Sequence, residues 1–297
     1  MSEADATGAG EADRERAPAR VGVIGGGRMG AGIAHAFLLA GSHVVVVERD
    51  EEAARSAGER IAESIRRSVE RGGTVRGVDE AFARLVTGTA PTLLADRDLV
   101  IEAVPEDRRL KTETLRRIEG AAPHAALATN TSSIPIDDLA AALARPDRFL
   151  GLHFFNPVPS SALIEIVTGT ATDAALVEAA RTWAAALGKT AIVVRDAPGF
   201  ASSRLGVALA LEAIRMVEEG VATPADIDAA MELGYRHPAG PLRTTDLVGL
   251  DVRLGIAEEL HAAFGERFAP PRLLRDMVAD GRLGRKSGRG FYEWSPS

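Results

Sequence analysis

Between a short apolar run, Val21 to Ile24, and a helical pattern through Ile33, Ala34, Phe37 and Leu38 stands the hexapeptide Gly25-Gly26-Gly27-Arg28-Met29-Gly30. No other stretch of the chain narrows the fold so far. In the spacing Gly25-x-Gly27-x-x-Gly30 the first glycine permits a tight turn, and the second lets the backbone approach a pyrophosphate. The third lets the helix pack close to the strand. Amides at the helix start, around Arg28 and Met29, would then face an anion. Gly41 closes the helical pattern as a left-handed cap does. The run Val44-Val45-Val46-Val47 follows without polar alternation, as in strands covered on both faces of a parallel sheet.

Alone, a glycine hexapeptide reads equally as a flexible loop. Here an acidic residue, Glu48, stands at the end of the second strand, about 20 positions after the glycines, which completes a dinucleotide-binding fingerprint. Glu48 would accept hydrogen bonds from the ribose hydroxyls, and its charge disfavours a 2′-phosphate, so the expected cofactor is NAD rather than NADP. Arg49 keeps the other option open, since a nearby arginine accommodates that phosphate.

The alternation of strand and helix continues. A basic helix is expected from Glu52 to about Arg71, a buried strand over Asp98–Val104 and a helix over Leu110–Ile118. Short strands follow at Ala125–Thr129, Phe149–Phe154 and Leu163–Val167, with a small helix near Ile136–Leu143. A helix over Leu176–Leu187 and a strand at Ala191–Val194 complete the series. The pattern predicts an α/β fold, a Rossmann-type doubly wound domain over residues 19–196. After Asp196-Ala197-Pro198-Gly199 only helical periodicity remains, so residues 197–297 are expected to form an all-α domain. Its elements are a long helix from Phe200 to Glu219, one starting at the cap Thr223 with Pro224, and others over Leu247–Phe264 and Pro271–Ala279.

Residues 1–18 have no apolar run and are acidic as well as basic, which fits a disordered tail rather than a secretory or transit signal. No apolar stretch approaches the ~20 residues that a spanning helix needs. The net charge of −7 argues against nucleic acid or an anionic membrane as partner. The absence of cysteine rules out disulfides, thiolate metal sites and thiol nucleophiles, and is compatible with a cytoplasmic location. No metal site is expected.

With these motifs in place, the stretches VGVIGGGRMGAGIAHAF, DLVIEAVPED, ATNTSSIPI, GLHFFNPVP, APGF and LGRKSGRGFY resemble the 3-hydroxyacyl-CoA dehydrogenase family, including its stand-alone 3-hydroxybutyryl-CoA members. The resemblance runs from about Arg20 to Trp294. It implies NAD-dependent oxidation of the 3-hydroxyl of a short (S)-3-hydroxyacyl-CoA, in a homodimer. It makes His153 the base, Glu165 its paired carboxylate and Ser132 the hydroxyl at the substrate oxygen. Glu106, Lys111, Asn130, Asn156 and Lys286 would line the nicotinamide half of the cofactor, and Ser64 and Arg71 fall where the family contacts coenzyme A.

Elementary chemistry runs the same way. Oxidising an alcohol needs a proton acceptor near neutral pH, and histidine is one. Glu165 interrupts an apolar run, where an unpaired charge is costly. Ser133, beside Ser132, reads as a cap for the following helix. One departure stands out: the family's asparagine after the Pro-Gly-Phe turn is Ser203 here, shorter and without an amide. Ser203 would serve directly, accompany a different substrate or slow the enzyme. Two other readings therefore stay open: a dehydrogenase of a 3-hydroxy acid without coenzyme A, of the sugar-acid or carnitine type, and a catalytically impaired NAD-binding protein. Arg66, Arg67 and Arg71 with Ser64 favour coenzyme A if they hold its phosphates. A solvated helix face is the alternative.

Overall fold

The computed structural model describes residues 16–70 and 78–295. Arg71 and most of the 1–18 tail lie outside the described residues. The compact division of the chain falls between Asp196 and Ala197.

The first unit begins β1 (Arg20–Ile24), α1 (Arg28–Leu39), β2 (His43–Val47), α2 (Glu51–Glu70), α3 (Val78–Phe82) and β3 (Leu85–Gly88). It continues β4 (Leu99–Glu102), α4 (Arg108–Ala121), β5 (Ala126–Thr129), α5 (Ile136–Ala140), β6 (Phe149–Phe154), β7 (Leu163–Thr168), α6 (Ala174–Ala186) and β8 (Thr190–Arg195). The strands form one eight-stranded sheet in the order β3-β2-β1-β4-β5-β6-β7-β8. Chain order reverses between β1 and β4, the switch point at which open α/β sheets bind ligands. Every pairing is parallel except β6 with β7. This is the doubly wound fold expected from the alternation.

The valine run is why β2 lies inside. Val44 to Val47 are all buried, as are the whole of β4, β5 and β6. Helix α1 turns Ile33, Ala34, Phe37 and Leu38 into the same core, and Phe37 meets Phe154 edge to face at 6.5 Å. Helix α4 starts at Asp107, whose carboxylate accepts the Leu110 amide.

The second unit contains α7 (Ser202–Glu218), α8 (Pro224–Tyr235), α9 (Pro241–Val248), α10 (Leu250–Phe264) and α11 (Arg272–Ala279). They close on Val207, Leu211, Ile214, Leu242, Leu250 and Leu260. Thr223 caps α8 through its hydroxyl, with Pro224 at the first position, as the sequence suggests. The C-terminal segment is tied down by Asp246, which accepts from the amides of Phe291 and Tyr292 and from Trp294 Nε1.

Two elements differ from expectation. The single helix expected over Leu247–Phe264 is two helices, because Gly249 at φ 108° breaks the ladder between α9 and α10. Strand β3 is an edge strand of four half-exposed residues, too short and too mixed for any period to register. Among the described residues, no helix is long and apolar enough to cross a membrane, and no group of three metal-ligating side chains gathers.

Candidate active site

The glycine turn is built as its spacing requires. Gly25 has φ +90°, and a Cβ on Gly30 would lie 1.7 Å from the Gly25 carbonyl oxygen, so neither position admits a side chain. Around Gly27, by contrast, a Cβ would meet nothing within 4 Å. Helix α1 begins at Arg28 with no side-chain cap, so its first amides point outward without a partner from Gly27. Arg28 is exposed and Met29 half-buried. Open backbone and uncapped amides at a helix start are what a pyrophosphate needs, and these residues fit NAD.

At the end of β2, the Glu48 carboxylate accepts the Gly26 amide at 2.7 Å and the Arg49 amide at 3.1 Å, which holds it beside the turn. Arg60 donates to the Gly26 carbonyl from α2. The Arg49 guanidinium turns instead to Asp50, 2.9 Å away. This geometry offers a ribose an acceptor and leaves the nearest arginine paired.

Beside this turn, at the ends of β4 and β5, lies a denser polar cluster. Glu102 and Lys111 are both fully buried and joined at 2.9 Å. Glu102 also accepts from Thr129 Oγ1 at 2.6 Å and the Val104 amide at 2.7 Å. Lys111 Nζ reaches on to the Val104 carbonyl and, at 3.3 Å, to Glu106. Glu106 in turn gathers the Asn130–Ser133 turn. Its Oε1 accepts from Thr131 Oγ1 at 2.6 Å, the Ser132 amide at 2.9 Å and hydroxyl at 3.3 Å, and the Ser133 hydroxyl at 3.2 Å. Burial works to raise the Glu106 carboxyl, but the Lys111 charge and the donors from Thr131 and Ser132 outweigh it and hold it below the ordinary glutamate range. Lys111 is thus buried between Glu102 and Glu106 rather than open on the surface.

Ser133 is not the helix cap. Its hydroxyl donates to Glu106, while Asp196, at the far end of β8, accepts the Asp137 amide at 2.9 Å and caps α5 from another strand. Burial pushes the Asp196 carboxyl up. The amides of Asp137 and Ile136 oppose this, and the Asp137 and Asp138 charges reinforce it. Its ionisation is therefore disfavoured in the folded chain. The stabilising share is complete below the unfolded aspartate pKa and is lost as pH rises through the raised folded value. Asp196→Asn should gain on the wild type in thermal midpoint as pH rises above about 4, the unfolded aspartate value. A constant difference between the two proteins above that pH would show that Asp196 titrates as in the unfolded chain.

His153 and Glu165 are register partners on the antiparallel pair β6–β7. His153 Nδ1 lies 2.7 Å from Glu165 Oε2, with Glu165 fully buried. An ionised carboxylate accepts only, so opposite an ionised Glu165 the Nδ1 nitrogen is the donor. The Phe155 ring packs against the imidazole with centroids 4.4 Å apart. Asn130 spans from β5 to β6 by accepting the Phe154 amide at 2.9 Å, which leaves its amide hydrogens as donors. Asn156 is exposed at the head of the loop that follows, before a cis bond to Pro157. The structure thus places Asn130, Ser132 and Glu106 just past the C-terminal ends of β5 and β4, and His153 near the C-terminal end of β6 with Glu165 opposite it near the start of the antiparallel β7.

The residues expected at coenzyme A are differently engaged. The Ser64 hydroxyl lies 2.7 Å from Nδ1 of the buried His35, tying α2 to α1. Arg66 and Arg67 both pair with Glu63, at 2.9 and 2.7 Å. In the helical unit, Lys286 holds Asp251 at 2.5 Å, and Ser203 stands in the first turn of α7. Sequence reasoning passed over Glu102, although it breaks an apolar strand just as Glu165 does.

Comparison with known proteins gives the same picture. Residues 20–197 match the model of the 3-hydroxyacyl-CoA dehydrogenase NAD binding domain, and residues 199–294 match the C-terminal domain of the same family. A 3-hydroxybutyryl-CoA dehydrogenase of Mycobacterium tuberculosis is 46% identical over 280 residues, covering 93% of this chain and 98% of the relative. The crystal structure of M. tuberculosis FadB2 superposes with a TM-score of 0.90 at 45% identity, over 94% of this chain and 100% of that one. The (S)-3-hydroxybutyryl-CoA dehydrogenase PaaH1 of Ralstonia eutropha gives 0.89 at 39% identity, over the same shares. This chain belongs to the 3-hydroxyacyl-CoA dehydrogenase family and is an NAD-dependent enzyme of that family.

Proposed function

We propose that the chain oxidises the 3-hydroxyl of a short (S)-3-hydroxyacyl-CoA to the 3-oxo thioester. The observation that carries this reading is the buried His153–Glu165 pair beside Asn130 and the Ser132 turn. The dinucleotide, when bound, supplies the hydride acceptor.

Glu48 holds the adenosine ribose, and the amides around Gly27, Arg28 and Met29 hold the pyrophosphate. Asn130, Asn156 and Glu106 border the nicotinamide. Ser132 donates to the substrate oxygen and directs the hydroxyl at His153. His153 Nε2 takes the hydroxyl proton, and Glu165 stabilises the imidazolium that results. Ser203 and Lys286 enter this reading on the family resemblance alone, as do the homodimer and the cytoplasmic location.

One observation favours a second reading. Among the described residues expected to grip coenzyme A, Ser64, Arg66 and Arg67 are each engaged within the chain. A 3-hydroxy acid without coenzyme A would not need these residues.

The test follows NADH absorbance with (S)-3-hydroxybutyryl-CoA and, in parallel, free 3-hydroxybutyrate. Turnover of the thioester alone, inhibited by free coenzyme A, is the expected result. Turnover of the free acid alone would establish the second reading. The same preparation should scatter light as two copies of the 31.2 kDa chain, and a chain-sized particle would remove the dimer from the proposal.

A further inference from the structure

Lys189 is a buried cation that the chemistry above does not use. It lies just beyond α6, where Gly188 at φ 67° donates to the Ala185 carbonyl and Lys189 donates its own amide to the Ala184 carbonyl at 2.9 Å. That paired closure fixes the Lys189 backbone. The side chain then crosses to the loop between β6 and β7. Its ammonium donates to the carbonyl of Val158 at 2.6 Å and to that of Ser161 at 2.5 Å. The residue is 9% exposed, and no carboxylate lies within ion-pair distance of it among the described residues. Burial pushes the ammonium down from the usual lysine range.

A buried ammonium without a counter-charge is costly, and the two carbonyls are its compensation. The amides of Ser160 and Ser161 both turn back onto the Pro157 carbonyl, at 3.1 and 3.0 Å, which makes one tight unit of Pro157 to Ser161. Val158 is buried at 2% exposure against α1, where a Cβ on Gly32 would come within 2.9 Å of its own Cβ. Asn156 is joined directly to this unit through Pro157. The strand that enters the loop ends one residue after His153, and the strand that leaves it presents Glu165.

We infer that Lys189 is a positioning residue for the cofactor: by gripping the Pro157–Ser161 turn from below, it sets where Asn156 stands at the nicotinamide end of the site. This rests on the placement of Asn156 proposed above. Lys189 does not touch the ligand. It acts through the loop, and its charge matters because two carbonyl dipoles converge on it.

NADH affinity, read by fluorescence titration, tests this together with thermal midpoints on the full-length enzyme. Lys189→Met should raise the NADH Kd at least tenfold, and Lys189→Arg should return it to within threefold of wild type. In an Asn156→Ala background, Lys189→Met should add less than threefold, because the residue through which it acts is already gone. A lowered midpoint with an unchanged Kd would make Lys189 a structural residue only and overturn the inference. So would full additivity with Asn156→Ala. If Asn156→Ala itself leaves the Kd unchanged, the placement of Asn156 falls and takes the inference with it. A weakened Asn156→Ala beside an unaffected Lys189→Met overturns the inference alone. Should Lys189→Met not fold, Lys189→Gln keeps a donor without the charge. A Kd raised three- to tenfold supports the inference, and a wild-type value overturns it.

Discussion

His153→Ala should lower kcat by about 10²–10⁴-fold, the range over which a positioned general base contributes, while the NADH Kd stays within a few fold of wild type. The imidazole is the only titratable side chain whose ordinary pKa suits proton uptake near neutrality, and its Nδ1 is committed to Glu165 at 2.7 Å. Removing it deprives a buried carboxylate of that partner. The thermal midpoint should therefore fall too, and turnover is best expressed per folded molecule. Glu165→Gln gives the complementary result. An amide can still accept from Nδ1–H but carries no charge to stabilise an imidazolium, so kcat should drop while NADH binding persists. Near-normal turnover in His153→Ala would assign the base to another group and remove the central element of the proposal.

Lys111→Met should destabilise the sheet unit strongly. It leaves Glu102 fully buried with its charge unpaired, a loss of about 3–5 kcal/mol. Thr129 and the Val104 amide still donate to Glu102, which holds the loss within that range rather than above it. Set against the roughly 5–15 kcal/mol by which domains are stable, this is a large fraction. In a unit of this size it corresponds to a midpoint lower by about 6–20 °C. Replacing both partners, as Glu102→Gln with Lys111→Met, should recover much of the loss, because no uncompensated charge remains. A single variant that melts within a degree or two of wild type would mean that water or a neighbour already neutralises Glu102.

The sheet unit was legible in the most detail, and the helical character of the second unit was legible with it. Long apolar runs such as Val44–Val47, and the glycine turn that follows β1, leave few alternatives once both faces of a strand must be covered. The His153–Glu165 pair was legible in type, because a carboxylate inside an apolar strand demands a partner. What escaped was whatever depends on distant residues. Glu102 obeys the same rule as Glu165, but its partner Lys111 sits in a helix whose other faces are charged. Nothing local distinguishes a lysine that turns inward. Asp196 caps a helix 59 positions away in sequence, and no capping pattern reaches that far. Lys189 bonds only to carbonyls, which leave no trace in residue identity. The break at Gly249 was missed because helical periodicity carries through a single glycine.

The reversal of direction between β6 and β7 has a consequence for how His153 meets Glu165. Side chains on a strand alternate between faces, so a slip of one residue in this pairing would send Glu165 to the opposite side from His153. Strand β8 binds the far edge of β7 along its whole length, from Leu163 to Thr168, and resists such a slip. The alignment of His153 with Glu165 is therefore a property of the ladder, set by backbone hydrogen bonds. With only twelve positions between the two residues, the pair is closed by a short loop and assembles locally.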